Sequence, residues 1–237
     1  MATHSKRYQS AKDTVGVEAH EPSEAVRLAR ESGTAKFEEG VELHLNTSAD
    51  PRHADQQLRE VAELPHGTGK TVRVFVFAEG EAARAAEEAG ADYVVSDELI
   101  QRIEGGWSEF DIAIATPDQM GKIGRLGRFL GRKGLMPNPR TGTVVQPQDL
   151  PRSIEAARKG RTEVRMDRLA NIHTRIGTVK FSDEQLLENL GSVYGTIVRA
   201  KPTGVKGQFI KSASLCTTMG PSVKLDVSAL DALARER

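Results

Sequence analysis

Apolar and polar residues alternate over residues 41–46 (VELHLN), close to the N-terminus. This period of two is typical of a strand with one buried face. A helix is predicted before it, over residues 23–32, where Gly33 is a suitable C-terminal stop. Asp50–Pro51 pairs a good N-cap with proline at the first helical position and predicts another short helix. Residues 58–64 then predict a second strand.

The middle of the chain has a different pattern, in which β-branched or aromatic runs alternate with alanine-rich and amphipathic segments. Strands are predicted over residues 71–77, 93–95 and 110–115, and helices over residues 81–90, 97–106 and 148–160. Strands that alternate with helices pair in parallel through right-handed crossovers, with helices on both faces of the sheet. The pattern therefore predicts a three-layer α/β domain over residues 68–159.

After residue 160 the earlier pattern returns. Ser182 and Gln185 form an S-x-x-Q capping box, so a helix is predicted to begin at Ser182. Strands are predicted over residues 163–167, 171–176, 207–215 and 222–227. Both chain ends thus favour one α+β discontinuous domain of split βαβ-like type, residues 1–67 plus 160–237, into which the α/β domain is inserted. Two chain crossings between the domains would permit hinge motion.

Composition limits the chemistry that the chain can perform. Its 237 residues include 33 Lys and Arg and 33 Asp and Glu, so a nucleic-acid partner would be held by local patches, not by bulk charge. The single cysteine, Cys216, excludes an internal disulfide and a cysteine-rich zinc module. The histidine spacing suits no metal, and no cofactor is expected. The polar N-terminus and the lack of a long apolar run predict a soluble, cytoplasmic protein without a membrane partner.

The segment Gly67–Thr71 (GTGKT) looks like the end of a phosphate loop. A phosphate loop needs GxxxxGK[ST] between a strand and a helix. Here Leu64 occupies the first glycine position, and a strand is predicted after Lys70. An interdomain hinge is therefore the preferred interpretation of this segment.

Residues 121–140 combine recurrent glycines with clustered cations, and no acid occurs between Gln119 and Gln148. Two interpretations remain open: contact with nucleic-acid phosphates, or a solvated basic loop with glycine hinges. The segment offers no acid or nucleophile for catalysis. The cations between its glycines are Lys122, Arg125, Arg128, Arg132 and Lys133.

Residues 206–226 predict a strand, a turn at Met219–Pro221 and a second strand. Ser212 and Ser214 could bond ribose 2′-hydroxyls, which distinguish RNA from DNA. Taken alone, however, the segment is simply a strand–turn–strand. Ser212 lacks the G-x-S-x-G elbow of a serine nucleophile.

Two long segments closely resemble the bacterial ribosomal L-one family. They are FDIAIATPDQMGKIGRLGRFLGRKGLMPNPRTGTV (110–144) and GQFIKSASLCTTMGPSVKLD (207–226). The resemblance extends to AKFEEGVELHL, to ADQQLREVAELPHGTGKTVRV and to the segment around His173. It implies a discontinuous domain that carries the main RNA surface and an inserted Rossmann-like domain.

The same resemblance implies a structural constituent of the large ribosomal subunit and not an enzyme. The expected partners are large-subunit rRNA at the mobile stalk, exit-site tRNA whose release it assists, other ribosomal components, and the mRNA of its own operon, whose translation it represses. The free protein is expected to be a monomer. Two alternatives stay open: a nucleotide-using enzyme acting through the α/β domain, and an mRNA repressor outside the ribosome.

By motif match, the resemblance also implies which residues contact RNA. The primary residues are Lys36, Phe37, Ser212, Thr218, Met219, Gly220 and Pro221, and the secondary ones are Arg128, Arg132 and Lys133. Two positions depart from the family pattern. Gly40 replaces a usual threonine, so one hydroxyl contact is missing, and Arg132 replaces a usual proline.

Overall fold

The computed structural model describes residues 5–235 of the chain. These residues divide into two compact units. The discontinuous unit contains the chain up to Gly69 and again from Thr162, and the inserted unit is Lys70–Arg161. Within residues 5–235, no helix combines the length and the apolar character that a membrane span requires.

The regular elements have the following bounds. The helices are α1 Lys6–Val15, α2 Pro22–Ser32, α3 Glu81–Glu88, α4 Asp97–Glu104, α5 Met120–Leu130, α6 Leu150–Lys159, α7 Asp183–Arg199 and α8 Val227–Arg235. The strands are β1 Ala19–His20, β2 Gly40–Thr47, β3 Arg59–Glu63, β4 Val74–Phe77, β5 Tyr93–Val94, β6 Ile112–Ala115, β7 Arg161–Arg165, β8 Asn171–Thr178, β9 Ile210–Thr217 and β10 Val223–Leu225.

The discontinuous unit is built on a five-stranded sheet with the order β1-β10-β9-β2-β8. Its central strand β2 pairs antiparallel with both β8 and β9. The predicted alternation in β2 is confirmed, because Val41, Leu43 and Leu45 are buried while the residues between them are half-buried. One face of the sheet is therefore apolar and packs in a core shared with α2 and α7. The opposite face is polar.

Helix α7 begins as predicted. The Ser182 hydroxyl accepts the Gln185 N–H at 3.2 Å, and the Gln185 side chain accepts the Ser182 N–H at 3.0 Å. Further along, the buried Asn189 amide donates to the carbonyls of Gly67 (3.1 Å) and Ile176 (2.7 Å) and accepts the His66 N–H (3.1 Å). One side chain thus fixes the segment after β3 to the middle of the unit.

The inserted unit has a parallel three-stranded sheet with the order β5-β4-β6, as the alternating pattern predicts. Phe75 and Phe77 of β4 point to a cluster shared with α4 and α5, whereas Val74 and Val76 point to one shared with α6. Adjacent residues of a buried strand face opposite sides of the sheet. Both faces are therefore covered by helices.

One local expectation is wrong, and one of two open interpretations does not hold. The helix expected at Asp50–Pro51 is a series of turns, in which the Asp50 carboxylate accepts the Arg52 N–H at 2.9 Å. An N-cap makes the same bond, but the backbone bonds that follow, from the His53 N–H to the Asp50 carbonyl (3.2 Å) and from the Gln56 N–H to the His53 carbonyl (3.0 Å), join residues three apart and close turns. The basic segment 121–140 is also no open loop, because its first half is α5. There the apolar spacing of Ile123, Leu126 and Leu130, all buried, outweighs the low helix propensity of glycine.

Replacing Asn189 by alanine should lower the free energy of unfolding by about 1–3 kcal/mol, because it removes the partner of one part-buried backbone N–H and of two carbonyls. Urea denaturation measures the change. The matched control is Glu184→Ala, at an exposed position of the same helix, which should change stability by no more than about 0.5 kcal/mol. Equal effects of the two substitutions would contradict the proposed role of Asn189.

Candidate nucleic-acid interface

The pairing of β2 with β9 brings together two candidate segments that are distant in sequence. In the antiparallel register Val41 lies opposite Thr217, so the residues before β2 meet the residues after β9. The Thr218 N–H donates to the Gly40 carbonyl at 3.1 Å, and the Gly40 N–H donates to the Thr218 hydroxyl at 3.0 Å. Lys36 and Phe37 are therefore placed at the same end of the sheet as the Thr218–Pro221 turn.

A buried carboxylate ties these two segments to each other. Glu39 is 1% exposed, and its carboxylate accepts the Ala35 N–H at 2.7 Å and the Met219 N–H at 2.8 Å. Hydrogen bonds to an ionised acceptor are stronger than neutral ones. Sequence reasoning missed Glu39, since an acid beside Glu38 in a polar segment carries no sign that it is buried.

Two large apolar side chains are exposed around this clamp. Phe37 is 54% exposed and Met219 is 53% exposed, and the neighbouring Lys36 and Thr218 are also exposed. We call these four residues the Phe37–Met219 patch. Exposed apolar groups on a firmly held backbone are typical of a binding surface. A cation and a hydroxyl beside them add the polar contacts that such a surface needs.

Gly220 and Pro221 are less exposed than Thr218 and Met219, the other two residues of the turn. A Cβ on Gly220 would lie 2.2 Å from the Thr217 hydroxyl oxygen and 2.8 Å from that of Ser32 in α2. Glycine is therefore required here by packing inside the chain, whatever approaches from outside. Pro221 is buried. These two residues shape the turn that carries Met219, and Pro221 is not available for direct contact.

Ser212 is exposed but lies toward the other end of β9, opposite Asn46 of β2. It belongs to the polar outer face of the sheet, which the register arranges in rows that cross the strands. These rows are Ser212–Asn46–Asn171, Lys224–Ser214–His44–His173 and Cys216–Glu42–Arg175. Apart from the two serines, sequence reasoning assigned no role to this face, although the polar positions of VELHLN indicate the part that β2 contributes.

The middle of the outer face carries a close group of titratable side chains. His44 Nδ1 lies 2.8 Å from His173 Nδ1, and His44 Nε2 lies 2.9 Å from Cys216 Sγ. Burial lowers the pKa of the His44 imidazole, and the neighbouring His173 acts in the same direction. Burial also raises the pKa of the Cys216 thiol, aided by the Glu42 carboxylate. At neutral pH both groups are therefore uncharged in the free protein.

The secondary candidates Arg128, Arg132 and Lys133 belong to the inserted unit and are exposed. Lys133 Nζ donates to the Ser108 hydroxyl and to the Gly106 carbonyl (3.3 Å). Arg132 and Lys133 border a cavity of about 310 Å³ that Trp107 also lines. Lys133 thus already has partners within its own unit, whereas the Phe37–Met219 patch lies in the other one.

Comparison with known proteins is consistent with this arrangement. Residues 28–221 match the family described as "Ribosomal protein L1p/L10e family". The chain belongs to this family. The matched region includes the Phe37–Met219 patch and the whole inserted unit, whereas α1 and α8 lie outside it.

Individual family members are similar over almost their full length. A protein of Dehalococcoides mccartyi is 55% identical over 234 residues, which are 98% of this chain and 99% of the relative. A protein of Thermomicrobium roseum is 56% identical over 238 residues, and one of Thermosipho melanesiensis is 49% identical over 232 residues. These cover 100% and 97% of this chain and 99% of each relative. Each of the three is named "Large ribosomal subunit protein uL1".

Glu39→Gln should lower the free energy of unfolding by about 1–3 kcal/mol, because the new amide turns an N–H toward a backbone N–H that needs an acceptor. It should also speed hydrogen exchange at the Ala35 or Met219 amide. Urea denaturation and amide exchange measure the two effects. Glu38→Gln is the control, since Glu38 is exposed and paired with Lys180 at 2.7 Å. Unchanged exchange at both amides in Glu39→Gln would show that the carboxylate is not the clamp.

Proposed function

We propose that the protein is an rRNA-binding constituent of the large ribosomal subunit, and hence acts in cytoplasmic ribosomes. It binds the rRNA junction of the mobile stalk, assists release of deacylated tRNA at the exit site, and represses its own operon by binding the mRNA. Family membership and the name shared by its relatives support the ribosomal role. The observation that carries the RNA contact is the exposure of Phe37 and Met219 on a backbone held by Glu39.

Each part of the patch has a chemical role in this proposal. The Phe37 ring packs on a base or sugar face, and Lys36 meets phosphate. Met219 supplies an adaptable apolar contact, and the Thr218 hydroxyl bonds a ribose 2′-hydroxyl. Ser212, which lies outside the patch toward the other end of β9, bonds a 2′-hydroxyl of a more distant nucleotide in this proposal. Gly220 and Pro221 act by fixing the turn. Recognition then depends on shape and 2′-hydroxyls more than on charge, which suits a chain with zero formal net charge.

We also infer that the two units make different contacts with RNA. In this proposal the split βαβ-like domain, residues 1–67 plus 160–237, carries the principal RNA surface. The inserted domain, residues 68–159, is a Rossmann-like scaffold whose cations Arg128, Arg132 and Lys133 make secondary contacts. The free protein is a monomer that joins other ribosomal components on the subunit.

The alternative of a nucleotide-using enzyme is less well supported. Such an enzyme needs a phosphate-binding turn after the first strand of its sheet. The turn after β4 is Ala78–Glu79–Gly80, with a single glycine. The Glu79 carboxylate pairs with Lys122, and its charge would repel phosphate. The relatives are also named as ribosomal proteins, not as enzymes.

The first test is binding of the purified full chain to a labelled stalk-junction RNA across a salt series, with tRNA as competitor. We expect junction-specific binding that weakens as salt increases. The dependence should be shallow, since Lys36 is the single cation among the four residues of the patch. Equal affinity of the protein for the junction RNA and for tRNA would contradict the proposal. Cofractionation with large subunits then separates a ribosomal protein from a repressor that acts outside the ribosome.

A second test locates the surface. Phe37→Ala should weaken binding to the isolated junction by about 1–3 kcal/mol, the usual effect of losing one stacking contact. Lys133→Ala should have a smaller effect, because Lys133 lies in the inserted unit and already has partners there. Both substitutions replace exposed residues, and circular dichroism would check that each variant folds. The opposite ranking would move the principal surface to the inserted unit.

A further inference from the structure

Three side chains on the outer face of the sheet present metal-binding atoms to one another. Glu42 and His44 are two residues apart on β2 and share a face, and Cys216 lies opposite Glu42 on β9. One carboxylate oxygen, one imidazole nitrogen and the thiol sulfur all lie within 4.8 Å of one another. We propose that Glu42, His44 and Cys216 form a site for a borderline-soft divalent cation of the zinc type. This proposal goes beyond RNA binding and does not depend on it.

The distances suit such an ion. His44 Nε2 lies 2.9 Å from Cys216 Sγ and 3.9 Å from Glu42 Oε2. Zinc bonds of about 2.0–2.3 Å in a tetrahedron place ligand atoms roughly 3.3–3.6 Å apart. The observed separations lie on either side of that range. Small rotations of half-exposed side chains would therefore bring the three atoms around one ion.

A second observation concerns the histidine. His44 Nδ1 faces His173 Nδ1 at 2.8 Å, so one of these nitrogens must donate to the other. When His44 Nδ1–H donates, its Nε2 lone pair faces the sulfur, as a metal ligand requires. His173 Nε2 in turn lies 3.7 Å from the Asp167 carboxylate. Metal-binding histidines are commonly oriented by a partner on the other ring nitrogen in this way.

The donor set selects the class of ion. Thiolate and imidazole favour zinc-type ions over magnesium or calcium, which prefer oxygen ligands. One carboxylate and one thiolate balance a divalent charge. Three protein ligands leave a fourth position for water or another oxygen donor, an arrangement found at open zinc sites and not at closed structural ones. The side chains of His44 and Glu42 are 27% and 40% exposed, so an ion can enter from solvent.

The sequence pattern could not reveal this site. His44 and Cys216 are 172 residues apart, and only the β2–β9 register makes them neighbours. Motif spacing detects metal ligands within one helix or loop, not ligands that come from paired strands. This proposal therefore replaces the expectation, drawn from histidine spacing, that the chain has no metal site.

The test uses the tag-free full chain, stripped with a chelator and titrated with Co²⁺ as a spectroscopic substitute for zinc. Because Cys216 is the single cysteine in the sequence, a thiolate-to-cobalt charge-transfer band reports this site alone. We expect the band to saturate at one ion per chain and to disappear when Zn²⁺ is added. A wild-type protein that gives no such band would overturn the proposal.

Variants check the other ligands. His44→Gln should abolish the tetrahedral cobalt spectrum, and Glu42→Gln should weaken binding about tenfold or more, while circular dichroism confirms that both fold. His53→Gln is the matched control, an exposed histidine of the same unit, and should bind like wild type. An unchanged cobalt spectrum in His44→Gln would refute the site. These readouts contain no RNA, so their failure and the failure of RNA binding are distinguishable.

Discussion

The antiparallel pairing of β2 with β9 is the interaction on which the rest of the discontinuous unit depends. It joins residues 40–47 to residues 210–217 in one register, across an insertion of a whole second unit. Such a long chain closure costs entropy that local contacts cannot offset. The apolar face of the sheet compensates for this cost, because Leu43 and Leu215 lie opposite each other and are both fully buried. The same register then places the outer-face residues of β2 and β9.

Local patterns predict most regular elements, because each depends on residues close in sequence. The alternation in β2, the capping box at Ser182 and the parallel β4–β6 pairing all follow from such patterns. The failures have physical reasons as well. After Asp50 the backbone bonds join residues three apart, so the N-cap is followed by turns. In α5 three buried apolar residues support a helix despite its glycines.

The candidate site could be predicted only in part. Phe37 and Met219 enter through a family resemblance, and their exposure agrees with a binding role. Glu39 could not be found in this way, because its importance arises from two backbone N–H groups that the fold brings to it. Gly220 shows the reverse difficulty. A glycine whose missing side chain suits close approach by RNA is required first by the hydroxyls of Thr217 and Ser32.

The register of β9 couples the turn proposed to bind RNA to the proposed metal site. Cys216 faces outward, Thr217 faces the core, and Thr218 faces outward again at the start of the turn. A slip of one residue would exchange the two faces, burying Cys216 and moving Thr218 away from Gly40. Both sites therefore require one strand alignment. Glu39 and the Gly40–Thr218 hydrogen bonds favour that alignment at the end of the strand, where no further sheet pairing follows. Consequently, the contacts that keep Met219 exposed on a fixed turn also hold the thiol opposite Glu42.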